Sequence, residues 1–289
     1  MQRKPPAHIC RKLQEEVNYG CPICGSPFLT WHHFDPPWIE YPHHNPEGMI
    51  ALCAEHAKMA DAGIYTKDQL KYYKANPFIK GKISALWPWE PENVVFLMGG
   101  SIFFGVRPLL TLQQKKVFSA TRVLKTGATA YSIVFDLDLV DLHGNPIVNM
   151  KENWLTIHTD ELSALRFTPG SKKFVVSHTS SLKLGISFHR YPPHDFQRHL
   201  SYVTNDNKEI VQFATEFART HSIDSDGLIP VITLMGKLFN NNVTMKIEKK
   251  AIKLECKFFQ GEKVTMSPRC CLGSLSFNLE KQGEIIKFG

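Results

Sequence analysis

Cys21-Pro22-Ile23-Cys24 and Cys53-Ala54-Glu55-His56, with Trp31-His32-His33-Phe34 between them, decide how this chain is read. Each outer stretch places two soft metal ligands on one tight turn. Zinc takes four ligands in a tetrahedron, and the two turns together offer Cys21, Cys24, Cys53 and His56. Gly25 gives the first turn the backbone freedom that it needs. The expectation is a structural zinc ion on these four side chains. The alternative is four unrelated buried residues.

Outward from the two turns, residues 8–18 predict a short helix behind Pro5-Pro6, and residues 19–52 predict loops and short strands. A helix over 53–62 stops at Gly63. Thr66-x-x-Gln69 has the form of a capping box, Leu70 and Tyr73 give the next helix an apolar face, and Asn76-Pro77 ends it. Residues 80–92, GKISALWPWEPEN, predict a linker or docking segment whose two tryptophans pack against something.

Beyond residue 93 the apolar period becomes two. Ile133, Phe135, Leu137 and Leu139 alternate with Val134, Asp136, Asp138 and Val140. Ile252, Leu254, Cys256 and Phe258 alternate with Lys253, Glu255 and Lys257. Such runs are half-buried strands. Further strands are expected at 94–98, 173–177, 182–188, 229–234, 243–247 and 274–279. The stripe Ile210, Val211, Phe213, Ala214, Phe217 and Ala218 predicts a helix. Residues 189–207, with Tyr-Pro-Pro and several histidines, predict a linker that divides this region.

The chain has 289 residues, 43% of them apolar and 21% charged, which is an ordinary globular composition long enough for two domains. No apolar run reaches the roughly 18 residues that cross a bilayer, so no membrane partner is expected. MQRKPPAHICRKLQEE lacks the apolar core of a signal peptide, and a cytoplasmic location is the expectation. Seven cysteines, an odd number with three in the metal frame, suit a reducing compartment. The formal charge is +7. Residues 1–90 carry ten Lys/Arg against nine Asp/Glu, and the remaining residues carry 24 against 18. The basic excess therefore lies outside the metal frame. It favours a polyanion such as DNA or RNA as partner.

The stretches CPICGSPFLTWHHF, HHNPEGMIALCAEHAKMADAG and YTKDQLKYYK, in that order over roughly residues 10–76, resemble the HNH endonuclease family. The resemblance implies two strands and a helix around a catalytic metal, and metal-dependent hydrolysis of phosphodiesters. It implies His33 as general base, a role that suits an imidazole. His32 falls where the family binds its catalytic metal, here expected to be Mg2+ or Mn2+. Gly48 stands where the family usually has Asn; Asn45, three residues earlier, can reach the same loop. Ala57 stands where the family has its last His. Asp61 follows one helical turn later on the same face and can supply a metal ligand. His43 and His44 are read as exposed loop residues, with phosphate binding as the alternative.

The expected fold class is therefore α+β. A small zinc-stabilised ββα-metal module over residues 1–79 leads through 80–92 into a mainly-β region over 93–289, possible divider near 190–207. The resemblance points to a DNA endonuclease of the kind used in bacterial defence or restriction. The β-rich region would serve targeting, regulation, a partner protein or homo-oligomer formation. Gly48 and Ala57 support a second reading, a degenerate zinc module that positions nucleic acid or a partner. A third is an effector subunit, silent until a partner joins it. Asp136, Asp138 and Asp141 are explained by a polar strand face and a hairpin turn. Cys256, Cys270 and Cys271 lack zinc spacing.

Overall fold

The computed structural model describes residues 2–78, 80–105, 108–112, 114–124, 131–168, 172–204, 207–240, 243–256, 263–266, 270–272, 275–280 and 283–288. It mixes α and β and is mostly β.

Helix α1 (Ala7–Glu16) starts behind Pro6 and buries Leu13. It stops because Asn18 and Tyr19 take left-handed φ values of 52° and 62°. Strands β1 (Leu29–His33) and β2 (Met49–Cys53) pair antiparallel, with Thr30 opposite Leu52 and His33 opposite Met49. All five residues of β2 are buried. The chain passes from β2 directly into α2 (Ala54–Asp61), with Cys53 as its N-cap. Helix α3 (Lys67–Ala75) opens with the expected capping box: Gln69 N donates to Thr66 Oγ1 at 3.2 Å and Thr66 N donates to Gln69 Oε1 at 2.9 Å. Leu13, Val17, Phe34, Met49, Ile50, Leu52 and Leu70 form the small core under these elements.

The remaining chain builds two large sheets that face each other. One orders Gly283–Phe288, Leu275–Glu280, Pro108–Leu112, Lys115–Leu124, Tyr131–Val140, Pro146–Lys151, Trp154–His158 and Lys82–Leu86. The other runs from Leu162–Thr168 through Lys173–His178, Lys183–Tyr191, Ile229–Asn240, Val243–Ile247 and Ile252–Cys256 to Lys263–Met266. The inward residues of both sheets share one apolar core; Ile133, Phe135, Leu137 and Leu139 supply it from one side, Phe174, Val176, Leu184 and Ile186 from the other. The alternation read in the sequence is this inward face. The expected strand at 252–258 is described only to Cys256, and residues 257–258 lie outside the described residues.

Two connecting segments differ from expectation. Residues 82–86, expected as a linker or docking segment, form a strand paired with Trp154–His158 and so belong to a sheet. The two tryptophans that follow pack, as expected. Trp87 is buried against Phe167, Phe174 and Phe188, with ring centroids 4.8, 5.6 and 4.8 Å away. Trp89 packs on Phe188 at 4.6 Å. Residues 189–207 likewise do not divide the region. They finish a strand and form α4 (Pro193–Val203), which buries Phe196, Leu200 and Val203. With α5 (Lys208–His221), the expected helix, α4 covers Val95, Leu97, Ile229 and Val231 on the outer face of the second sheet.

Trp87→Ala should lower stability by about 3–5 kcal/mol, the range for a buried aromatic truncated in a core. Trp87→Phe should cost far less, since it keeps a ring and removes a buried indole N–H that lacks a partner. Urea unfolding midpoints compare the two. Equal, small effects would mean that the segment is loosely held.

The N-terminal elements are seated on the strand Leu162–Thr168. Tyr19 Oη donates to Leu162 O at 2.9 Å and Gln14 Nε2 donates to Leu165 O at 2.7 Å. The Phe28 and Phe167 rings pack with centroids 4.4 Å apart.

Candidate metal centre and active site

The two sequence turns converge. One ligand atom from each of Cys21, Cys24, Cys53 and His56 lies within 4.8 Å of every other. Cys24 Sγ and Cys53 Sγ are 3.8 Å apart, Cys21 Sγ and His56 Nδ1 are 3.6 Å apart, and Cys53 Sγ and His56 Nδ1 are 3.1 Å apart. Zinc–sulfur bonds of about 2.3 Å in a tetrahedron require sulfurs about 3.8 Å apart. The frame therefore has the size of a zinc site. Local structure sets it. Gly25, at φ 76°, donates its N–H to Cys21 O and so closes the first turn. The start of α2 presents Cys53 and His56 together. Burial pushes the Cys21 thiol up and the Cys24 thiol up to about 12. A bound cation supplies the charge that turns such thiols into thiolates. The donor set can bind a metal such as zinc.

A second grouping lies beside it. Asp61 stands at the end of α2, one turn beyond Ala57, which is buried in the small core. Its Oδ1 is 3.2 Å from His32 Nδ1. The His32 side chain is 8% exposed and that of Asp61 is 61% exposed, so the pair opens to solvent on the acid's side. Burial lowers the His32 pKa and outweighs the opposing pull of the Asp61 carboxylate. Adjacent ligands on an octahedral cation, with bonds of about 2.1 Å, lie about 3 Å apart. The pair therefore has the spacing of two neighbouring ligands, as it has of a hydrogen-bonded ion pair.

His33 follows His32 on β1. It packs against Trp38 and His43, with ring centroids 4.7 and 5.2 Å away. Both of its ring nitrogens are buried without a hydrogen-bond partner. Burial, aided by the neighbouring charges of His43, His44 and Arg3, pushes its pKa down to about 4. The imidazole is thus neutral near pH 7.

The loop that covers His33 departs from expectation at several points. His43 is buried, not exposed. Its Nδ1 accepts from Asn45 N at 3.0 Å, so its Nε2 donates to Pro36 O at 2.9 Å. His44 Nε2 donates to Gln2 O at 3.0 Å. Asn45 Oδ1 accepts from Glu47 N at 3.2 Å and caps the short turn Pro46–Gly48. Its side chain serves that turn. Gly48 is fixed by close backbone packing, because Phe34 N and Asp35 N both donate to its carbonyl. A Cβ there would lie 1.9 Å from Asp35 O. The loop path itself thus excludes an asparagine at position 48.

Gly48→Asn should accordingly destabilise the N-terminal unit by about 3 kcal/mol or more, the range for forced overpacking. Thermal melting checks this. A melting temperature equal to that of the unsubstituted chain would show that the loop yields freely.

The three aspartates of the β region each have local partners. Asp136 accepts from Glu152 N, Asp138 pairs with Lys115 at 3.0 Å, and Asp141 accepts from His143 N and Asn145 N in its hairpin. Trp38 was not singled out by sequence; it lies in a Pro-rich loop without the alternation that marks a buried face. No helix among the described residues is long and apolar enough to cross a membrane. Comparisons with protein-family models, curated proteins and solved structures found no match for this chain.

Proposed function

We propose that this chain is a metal-dependent endonuclease of the HNH type that hydrolyses phosphodiester bonds of DNA. The supporting observation is the 3.2 Å approach of His32 Nδ1 to Asp61 Oδ1, beside a Cys3His frame and on a strand, strand and helix in the order that a ββα-metal site requires. Asp61, one turn beyond Ala57, would supply the ligand that Ala57 cannot. Mg2+ commonly binds through few protein groups and keeps positions for water and phosphate. When bound, such a cation would neutralise the charge that develops on the phosphate and the leaving oxygen. His32 and Asp61 would hold it. Zinc on the Cys3His frame would fix β2 and the start of α2, and so hold Asp61 against β1.

His33 would accept the proton of the attacking water. Its neutral imidazole suits that role, and its lowered pKa makes it a modest base. Trp38, His43 and His44 cover its ring nitrogens, so catalysis requires that these side chains part. The test is nicking of supercoiled plasmid by the purified chain with Mg2+ or Mn2+. Absence of nicking across metals and substrates would sink the proposal.

The buried His33 also favours a second reading, a zinc module that positions nucleic acid or a partner without cutting. That reading expects salt-sensitive binding that persists in His33→Ala. Under either reading, the β-rich region supplies targeting or a partner surface.

A further inference from the structure

Helices α4 and α5 leave part of the outer face of the second sheet uncovered. The uncovered part holds a trough of about 780 Å3. Its lining includes the small residues Ser177, Gly185 and Gly236 on neighbouring strands, with Val175, Met235 and Ile247 beside them. Its sides carry Arg166, Lys173 and Lys183 from the sheet, Lys249 from the turn after Val243–Ile247, and Arg11 from α1. A second hollow of about 380 Å3 shares Arg11 and Arg166 with the first and continues past Lys4 to Trp31 on β1. Arg3, next in the chain, is close enough to His32 and His33 to act on the charge of both.

We propose that this trough is a track for the phosphate backbone of duplex DNA, leading towards the His32–Asp61 pair. Its distinguishing feature is that several cations gather on one concave lining. Several cations elsewhere are paired with acids: Lys67 and Lys71 with Asp35, Arg190 with Asp224 and Asp226, Lys246 with Glu255. Among the described residues, no carboxylate lies within ion-pair distance of Arg11, Arg166, Lys173 or Lys183. The acid in the trough lining, Glu248, is engaged by Lys253 at 2.7 Å. Unpaired cations along a concave floor are what a polyanion needs, since each phosphate contact releases condensed counterions. The larger hollow has no aromatic lining on which single-strand bases would stack. The contacts would therefore be to phosphates and independent of sequence.

The track rests on the nucleic-acid substrate proposed above, not on its chemistry. Its test uses the full chain with zinc, in magnesium-free buffer, and a fluorescein-labelled random duplex of about 30 base pairs read by anisotropy across salt. The paired substitution Arg166→Ala and Lys183→Ala should weaken binding at least about tenfold and reduce the slope of log K against log salt by about two. Gly185→Glu should weaken it as much. That position has ordinary space for a side chain, with the nearest atoms 3.7 and 3.9 Å from an added Cβ. Lys208→Glu, on helix α5 and outside the trough lining, should change binding less than about twofold. Unchanged binding in both trough variants, an equal loss in Lys208→Glu, or no duplex binding by the parent chain would overturn the track. Trough-dependent binding by a chain that never nicks would leave the track standing and remove the nuclease. Nicking at an undiminished rate in the trough variants would do the reverse.

Discussion

Cys24→Ser should empty the chain of zinc and unfold its N-terminal unit while the β-rich region stays folded. The substitution is informative because Cys24 is exposed and contributes little to a core. A conservative change at such a position without a metal role alters stability by no more than about 0.5 kcal/mol. A structural zinc binds with an apparent free energy of about 10–16 kcal/mol in small zinc-dependent modules. Loss of one of four ligands should forfeit much of that. The unit has little in reserve, since its core is small and α2 spans eight residues, too short to persist alone. Metal analysis should give one zinc per parent chain and near none in the variant. Hydrogen exchange should then show β1, β2 and α2 unprotected. Retained protection with no zinc in the parent would show that packing alone holds the frame.

Removal of the proposed base should produce the second large effect. His33→Phe keeps a ring between Trp38 and His43 and removes both ring nitrogens. It should lower plasmid nicking by about 10²–10⁴-fold, the usual contribution of general base catalysis. Asp61→Asn keeps a neutral partner for His32 and withdraws the charge that a cation needs, and should lower nicking by at least about 100-fold. Both variants should retain zinc and the parent melting behaviour. Nicking by His33→Phe at the parent rate would place the base elsewhere.

Much of this was legible in the sequence because it is local. The Cys-x-x-Cys and Cys-x-x-His turns, the Thr66–Gln69 capping box and the alternation over 133–140 each depend on residues a few positions apart. The i,i+4 relation on one helix face put Asp61 forward, and the structure brings it to His32. Long-range packing was not legible. The tryptophans of 80–92 read as packing against something, but their partners Phe167, Phe174 and Phe188 lie more than 70 residues away, and the strand over 82–86 was not read. Gly48 read as a lost asparagine; its cause is the carbonyl of Asp35 across the loop. His43 read as exposed because nothing nearby in sequence reveals that Pro36 and Asn45 bind both its nitrogens. The trough gathers its cations from α1, three strands and a turn, and sequence charge counts could only place the chain's basic excess beyond residue 90.

The proposed function turns on whether His32 and Asp61 hold a cation. Crystals of the zinc-loaded chain soaked in Mn2+ address this through anomalous scattering at the two metal edges. A zinc peak within the Cys3His frame and a separate manganese peak bonded to His32 Nδ1 and Asp61 Oδ1 are expected. A zinc peak alone, with His32 still hydrogen-bonded to Asp61 at saturating Mn2+, would make the pair a structural contact and the nuclease reading untenable.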